Sequence, residues 1–290
     1  MSDREVELDA FADWERAAWA TRAAPYAKDI TLLTRGAADA LLDAAGVTVG
    51  SRVLDVATGP GVVALAASDR GADVIAVDQT ESMLAIARAA GVDARQAEAE
   101  QLPFDDASFD AVVAGFLLNH LARPMRGIAE MARVCRGTVA VSVWDVPEAN
   151  PALGLFGPVV QSLGVPEVVP PGPDSHSYAD AARLADLLRG GGLVDVSVDR
   201  VSWTFAVNPA AWFDAVAAGT PRTGAVLAAA SADDRAALRA RYVELATRMF
   251  GCADGSVILP AAALVGRGRR KPRQAADRRP SCRRRGCSPG

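Results

Sequence analysis

The chain has 290 residues, half of them apolar and 23% charged. A chain of this size buries roughly 75% of the surface its unfolded form exposes, which excludes disorder of the whole. The formal net charge of −4 conceals a split: residues 1–266 hold 21 basic and 34 acidic side chains, whereas residues 267–290 hold ten basic ones and a single acid, Asp277.

No apolar run approaches the ~18 residues of a membrane-spanning helix. Asp3, Arg4, Glu5, Glu7 and Asp9 do not read as a signal peptide, so a cytoplasmic protein is expected. Two histidines and four cysteines without a CxxC pair give no metal site.

Residues 7–46 read as helix, with apolar spacing through Asp29–Ala45 and a stop at Gly46. Alternation begins at residue 52. Val53–Val56 is a short strand, Gly59-Pro60-Gly61 a sharp turn, and Val62–Ser68 a helix. Val74–Val77 is the second strand, ending in Asp78. Thr80 opens a helix that Gly91 closes. Val92–Ala97 is the third strand, Phe109–Ala114 the fourth, Arg126–Cys135 a helix and Thr138–Trp144 the fifth strand. Such strand–helix alternation predicts a parallel, doubly wound sheet that binds ligands at the carboxyl edge of its strands.

Residues 147–173 carry seven prolines and read as a lid or linker without regular structure. A helix (Tyr178–Leu188), a strand (Leu193–Val198), a helix opened by Ser231 and ended by Gly251, and a last strand (Ser256–Val265) follow. From Arg267 onward the composition predicts disorder.

The stretch from Val53 to Gly61 is the most informative. A strand runs into a glycine turn and then a helix, which lets backbone N–H groups approach a ligand. Seventeen residues after Gly61, Asp78 ends the second strand, where a carboxylate can accept from both hydroxyls of an unsubstituted ribose. Gly59-Pro60-Gly61-Val62-Val63-Ala64 also matches a dinucleotide fingerprint, so an NAD-dependent oxidoreductase is the alternative. Asp55 argues the other way, because a carboxylate near the turn would repel a pyrophosphate and suit a cationic ligand.

VLDVATGPG, VIAVDQTESML, AEAEQLPFDDASFD, GFLLNHL and GTVAVSVWD, in that order, resemble class I S-adenosylmethionine-dependent methyltransferases, specifically the small-molecule group that includes the ubiquinone/menaquinone-type enzymes. The resemblance runs through most of residues 10–270. It implies a Rossmann-like α/β fold with seven strands in the order 3-2-1-4-5-7-6, the last antiparallel.

It also implies S-adenosylmethionine as cofactor, with S-adenosylhomocysteine as product. The implied cofactor contacts are Asp55, Ala57, Gly59, Gly61, Asp78, Gln79, Met83, Glu98, Ala99, Gly115 and Phe116. Asp78 would take the ribose hydroxyls, Glu98 and Ala99 would bracket adenine, and Gly115 and Phe116 would lie near the methyl. Ala57 stands where the family often has glycine, and Ala97-Glu98 replaces Gly-Asp.

Methyl transfer from a sulfonium needs alignment and exclusion of water, and a base only where the nucleophile arrives protonated. His120, just past the fourth strand, is the candidate base; the competing role is capping or packing beside the cofactor. Tyr26, Trp144 and His176 are candidates for the acceptor pocket, while Trp203 and Trp212 read as core.

The expected organisation is a helical cap (1–48), a cofactor-binding core (49–146), a lid and helix (147–191), completing strands and helices (192–268) and a basic tail (269–290). The expected partner is a small molecule, with a homodimer admitted. The acidic body and a tail without aromatics argue against nucleic acid. Two further alternatives stand open: a protein of this fold that binds the cofactor without transferring methyl, and an RNA methyltransferase recruited by its tail.

Overall fold

Seven strands form one sheet in the order β3-β2-β1-β4-β5-β7-β6 in the computed structural model, which describes residues 3–161, 168–174 and 176–271. The strands are β1 (Arg52–Val56), β2 (Asp73–Asp78), β3 (Ala94–Gln96), β4 (Phe109–Gly115), β5 (Cys135–Trp144), β6 (Leu193–Val207) and β7 (Val257–Arg270). β1 to β5 pair in parallel; β7 runs antiparallel between β5 and β6. The order and the antiparallel last strand are those the sequence implied.

Side chains alternate across the sheet, so each strand feeds two cores. On one face, Leu54, Val56, Val112 and Val141 pack against Ile128 and Met131 of α5 (Pro124–Val134) and Leu184 and Leu188 of α8 (Ala181–Gly190). On the other, Val53, Val113 and Ala140 meet Leu41 and Leu42 of α2 (Ala38–Ala45) and Ala67 of α3 (Val62–Asp69). Asp55 has the parity of Val53, yet its side chain reaches the cavity at the sheet's edge. The remaining crossover helix, α4 (Glu81–Ala89), packs Leu84 and Ala87 on Ala76.

The N-terminal segment is not one continuous helix. α1 (Asp3–Ala20) ends at a turn, and the chain resumes through short helical pieces, including a π-turn at Tyr26–Ile30, before α2. The break lets α1 lie across the ligand edge. Arg16 pairs with Glu98 (2.9 Å), Arg123 with Asp9 (2.7 Å), and the Ser82 hydroxyl donates to the carbonyl of Ala20 (3.0 Å).

Three other expectations are corrected. The proline-rich stretch contains two short helices, α6 (Pro151–Gly154) and α7 (Phe156–Gln161), because Pro151 sits at a first-turn position where its missing N–H costs nothing. β6 extends nine residues past Val198. β7 runs to Arg270, since ladder bonds to both neighbours hold residues 267–270 that composition assigned to a disordered tail. The rest of the tail, residues 272–290, lies outside the described residues.

The long β6–β7 ribbon carries a second apolar lobe formed with α6, α7, α9 (Pro209–Gly219), α10 (Pro221–Ala229) and α11 (Ala232–Phe250). Trp212 and Tyr242, both buried, donate to the carbonyl of Ala152 at 2.8 and 3.2 Å. Each large ring thus satisfies its polar tip while fixing α6 to the lobe. The sheet edge, the N-terminal helices and this lobe enclose one large cavity.

Candidate active site

The cavity has a volume of about 860 Å³. At one end lies the β1 turn. Ala57, Gly59 and Gly61 all have positive φ (57°, 55° and 95°), so the chain coils tightly between β1 and α3. The two glycines serve different ends. A Cβ on Gly59 would point into open space, 4.0 Å from Met83 Sδ and Tyr26 Cε1, whereas one on Gly61 would meet Val92 Cγ2 at 3.0 Å. Gly59 therefore keeps the cavity open, and Gly61 lets α3 pack beside α4. Gly61 is not among the cavity-lining residues.

Asp78 closes β2 with its carboxylate against this turn. Gly59 N donates to Oδ2 (2.9 Å), and Thr80 donates to Oδ1 through its backbone N (2.9 Å) and its hydroxyl (2.7 Å). Burial raises its proton affinity, and these donors partly offset that.

Asp55 is 1% exposed and accepts from the Thr58 hydroxyl at 2.7 Å. Burial pushes its carboxyl up to about 7, with the Thr58 bond and a backbone N–H lowering it and the charge of Asp78 raising it. Two buried carboxylates at one end of a cavity favour a ligand that brings a positive charge and several donors. Burial also pushes the Tyr26 phenol up to about 12, keeping it a donor.

Gln79, Met83, Ala97 and Ala99 continue this wall, a mostly apolar slot beside the β2 carboxylate. The slot is braced from behind. Arg123 N donates to Glu100 Oε1, and Arg133 donates to the carbonyls of Leu102 and Phe104. Glu98 is not among the lining residues; its carboxylate pairs with Arg16 and so helps hold α1 over the slot.

Beyond β4 the chain turns through Gly115 and Phe116, the latter at φ 56° with its N–H donating to the carbonyl of Ser142 (2.9 Å). That strained turn lays the Phe116 ring on Trp144, centroids 3.9 Å apart and planes 21° apart. Trp203, half-buried, packs near Trp144 at 6.2 Å, and Trp212 is buried in the second lobe as a core residue. Leu153, Leu155, Phe156 and Met249 continue the wall, so this end is aromatic and apolar.

His120 stands at the end of the short turn after β4, where Trp19 packs edge-on at 5.1 Å. Its Nδ1 lies 3.0 Å from Glu15 Oε2, and its Nε2 lies 3.0 Å from Asn119 Nδ2. A carboxylate accepts only, so Nδ1 carries the proton; an amide NH₂ donates only, so Nε2 is the acceptor. Glu15 is 1% exposed and shares its other oxygen with Arg222 Nε at 3.3 Å. His176 also lines the cavity.

The structure therefore brings Asp55, Ala57, Gly59, Asp78, Gln79, Met83, Ala99, Gly115, Phe116, His120, Tyr26, Trp144 and His176 to one cavity. Glu15 and Arg222 escaped sequence reasoning. They lie 105 and 102 residues from His120 on elements with no local signature.

Residues 54–141 match the family model described as "Methyltransferase domain". Over that span the chain is similar to a methyltransferase domain. It is 34% identical over 147 residues to the demethylmenaquinone methyltransferase of Beutenbergia cavernae, covering 49% of this chain and 61% of that one. To the Renibacterium salmoninarum enzyme of the same name it is 38% identical over 115 residues, covering 38% of this chain and 48% of that one. The chain thus spans about half the length of the curated relatives it matches.

Among solved structures, YcgJ of Bacillus subtilis superposes with a TM-score of 0.52 at 20% identity, over 81% of this chain and 98% of that one. An Anabaena variabilis protein, provisionally described as a methyltransferase from an antibiotic biosynthesis pathway, gives 0.56 at 18%, over 79% and 95%. These likenesses concern the methyltransferase fold alone.

S-adenosylmethionine is the cofactor that goes with this domain, and the residues fit it. Asp78 suits the ribose, Asp55 a cationic centre, the cleared space at Gly59 a close approach, and the Met83–Ala97–Ala99 slot a flat base.

Proposed function

We propose that the protein transfers a methyl group from S-adenosylmethionine to the hydroxyl of a small, largely apolar aromatic acceptor. The observation that carries this reading is the position of His120. His120 lines the same cavity as the Asp78–Gly59 cradle and the stacked Phe116–Trp144 pair.

When bound, S-adenosylmethionine supplies a methyl group already activated on a sulfonium, the departing electron pair remaining on sulfur. The chain's own residues do the rest. Phe116 and Trp144 stack the acceptor ring and orient its hydroxyl. The acceptor hydroxyl replaces the Asn119 amide at His120 Nε2, which takes the hydroxyl proton and leaves an oxygen lone pair free to form the new bond to carbon; the proton later passes to solvent. Glu15 accepts from Nδ1–H and stabilises the imidazolium that forms. The roof of α1, with Trp19 over His120, excludes water.

The names of the demethylmenaquinone methyltransferase relatives support a quinone-like ring as the acceptor class. Labelled-methyl transfer tests the reading, with hydroxylated naphthalenes and benzenes as acceptors and His120→Gln beside the wild type. Expected is a methylated product from the wild type and a ~10²- to 10⁴-fold loss of kcat in H120Q, the usual range for a general base. Full activity in H120Q would refute the base. Reduction of NAD by the wild type in place of methylation would favour the oxidoreductase alternative.

A further inference from the structure

His120 does not stand alone. The carboxylate of Glu15, 1% exposed, gives one oxygen to His120 Nδ1 (3.0 Å) and the other to Arg222 Nε (3.3 Å). Arg222 in turn donates through Nη2 to the carbonyl of Asn119 (2.9 Å) and through Nη1 to that of Pro173 (3.1 Å), and its guanidinium lies 4.9 Å from the centre of the Phe11 ring. The three charged or chargeable groups come from three elements: α1, the turn after β4, and α10.

Other charged groups lining the cavity are His176, Asp55 and Asp78 at the cofactor end, and Asp145 and Glu148. Asp55 is held by Thr58, Asp78 by Gly59 and Thr80, and Asp145 by Arg200.

A carboxylate withdrawn from water must be compensated. Here a neutral imidazole supplies one donor and a guanidinium supplies the charge. We propose that Glu15 and Arg222 are positioning residues that set the charge state of His120 in opposite directions. Glu15 fixes the Nδ1–H tautomer and favours the imidazolium. Arg222 draws on the same carboxylate and so opposes that effect, while Nε2 accepts from Asn119 Nδ2 (3.0 Å). Because Glu15 rides on α1, the base is complete only while α1 lies over the cavity. The inference rests on His120 being the base proposed above.

Two substitutions separate the effects. In Arg222→Met the whole carboxylate charge falls on His120, so the ring charges at a higher pH than in the wild type. In Glu15→Gln the ring keeps the guanidinium and loses the carboxylate, so it charges at a lower pH, and the Nδ1–H preference is lost. Each displacement is expected to be roughly one pH unit or more, as for a neighbouring charge at this range.

The readout is ¹⁵N NMR of the histidine rings in the ligand-free protein. The chain has only two histidines, so His176→Asn assigns both. Arg222→Lys, which keeps the charge, and Glu15→Asp, which keeps the carboxylate, should lie nearer the wild type. The acid limb of kcat/KM should move with the NMR midpoints, to higher pH in R222M and lower in E15Q.

Opposite displacements with the wild-type ring in the Nδ1–H form support the proposal. Coincident midpoints in folded E15Q and R222M, or displacements of the same sign, overturn it. Should R222M fail to fold, E15Q against E15D decides: equal midpoints overturn the proposal. If the midpoints diverge as stated but H120Q still methylates at the wild-type rate, the base reading fails and the electrostatic coupling stands.

Discussion

Asp55→Asn tests the electrostatics of the cofactor end. The wild-type carboxyl releases its proton at about 7 in the folded chain, because burial penalises the charge, against an ordinary value of 3.8. Below pH 4 both folded and unfolded chains hold that proton. Between pH 4 and 7 only the folded chain does, so stability contributed by the protonated carboxyl falls as pH rises and is gone above about 7. At about 1.4 kcal/mol per pH unit, the loss across that window is about 4 kcal/mol.

Asparagine keeps an oxygen for the Thr58 hydroxyl, which lies 2.7 Å from Oδ2, and has no proton to lose. The stability difference between D55N and wild type, from urea unfolding, should therefore move by about 2–3 kcal/mol in favour of D55N between pH 5 and 8. A bound cation reverses the penalty, so S-adenosylmethionine binding to the wild type at pH 6 should release up to one proton, read from calorimetry in buffers of different ionisation enthalpy. A stability difference that does not change with pH, together with equal proton release in D55N, would refute the reasoning.

Three further outcomes follow from the same site. Asp78→Asn removes a charged acceptor and sets an amide NH₂ against Gly59 N–H; with charge-assisted bonds worth about 1.5–3 kcal/mol each, S-adenosylhomocysteine should bind roughly 100-fold more weakly by calorimetry. Ala57→Gly relieves a left-handed alanine at φ 57° and should raise stability by about 0.5–1 kcal/mol, whereas Gly61→Ala forces a Cβ to 3.0 Å from Val92 and should lower it by about 1–3 kcal/mol, both from denaturant midpoints. Trp144→Ala removes the ring stacked on Phe116 and should raise the KM for the acceptor while leaving S-adenosylhomocysteine affinity within about threefold of wild type, since the cofactor end is formed by other residues.

The sheet was readable because its signals are local. β1, the glycine turn and Asp78 lie within 27 residues, and each strand's alternation sits beside its helix's longer period. Two missed features were also local. Val201, Trp203, Phe205 and Val207 alternate through the unread half of β6, and Asn208-Pro209 opens α9 with an Asn side chain accepting from the N–H groups of Ala210 and Ala211.

The base's partners were another matter. Glu15 sits among exposed acids on a helix of weak amphipathicity, and only the break after Ala20 and the fold of the second lobe bring it to Arg222. Glu98 shows the converse. Its position in the block after β3 suggested adenine, but Arg16, 82 residues away, occupies its carboxylate.

The most direct test of the central claim is calorimetric titration of the wild-type protein with S-adenosylhomocysteine and, separately, with NADH. The cavity described here should bind S-adenosylhomocysteine one-to-one with a Kd of about 10 μM or tighter, near −7 kcal/mol, and leave NADH without measurable heat. Saturable NADH binding with no response to S-adenosylhomocysteine up to about 1 mM, weaker than about −4 kcal/mol, would contradict it.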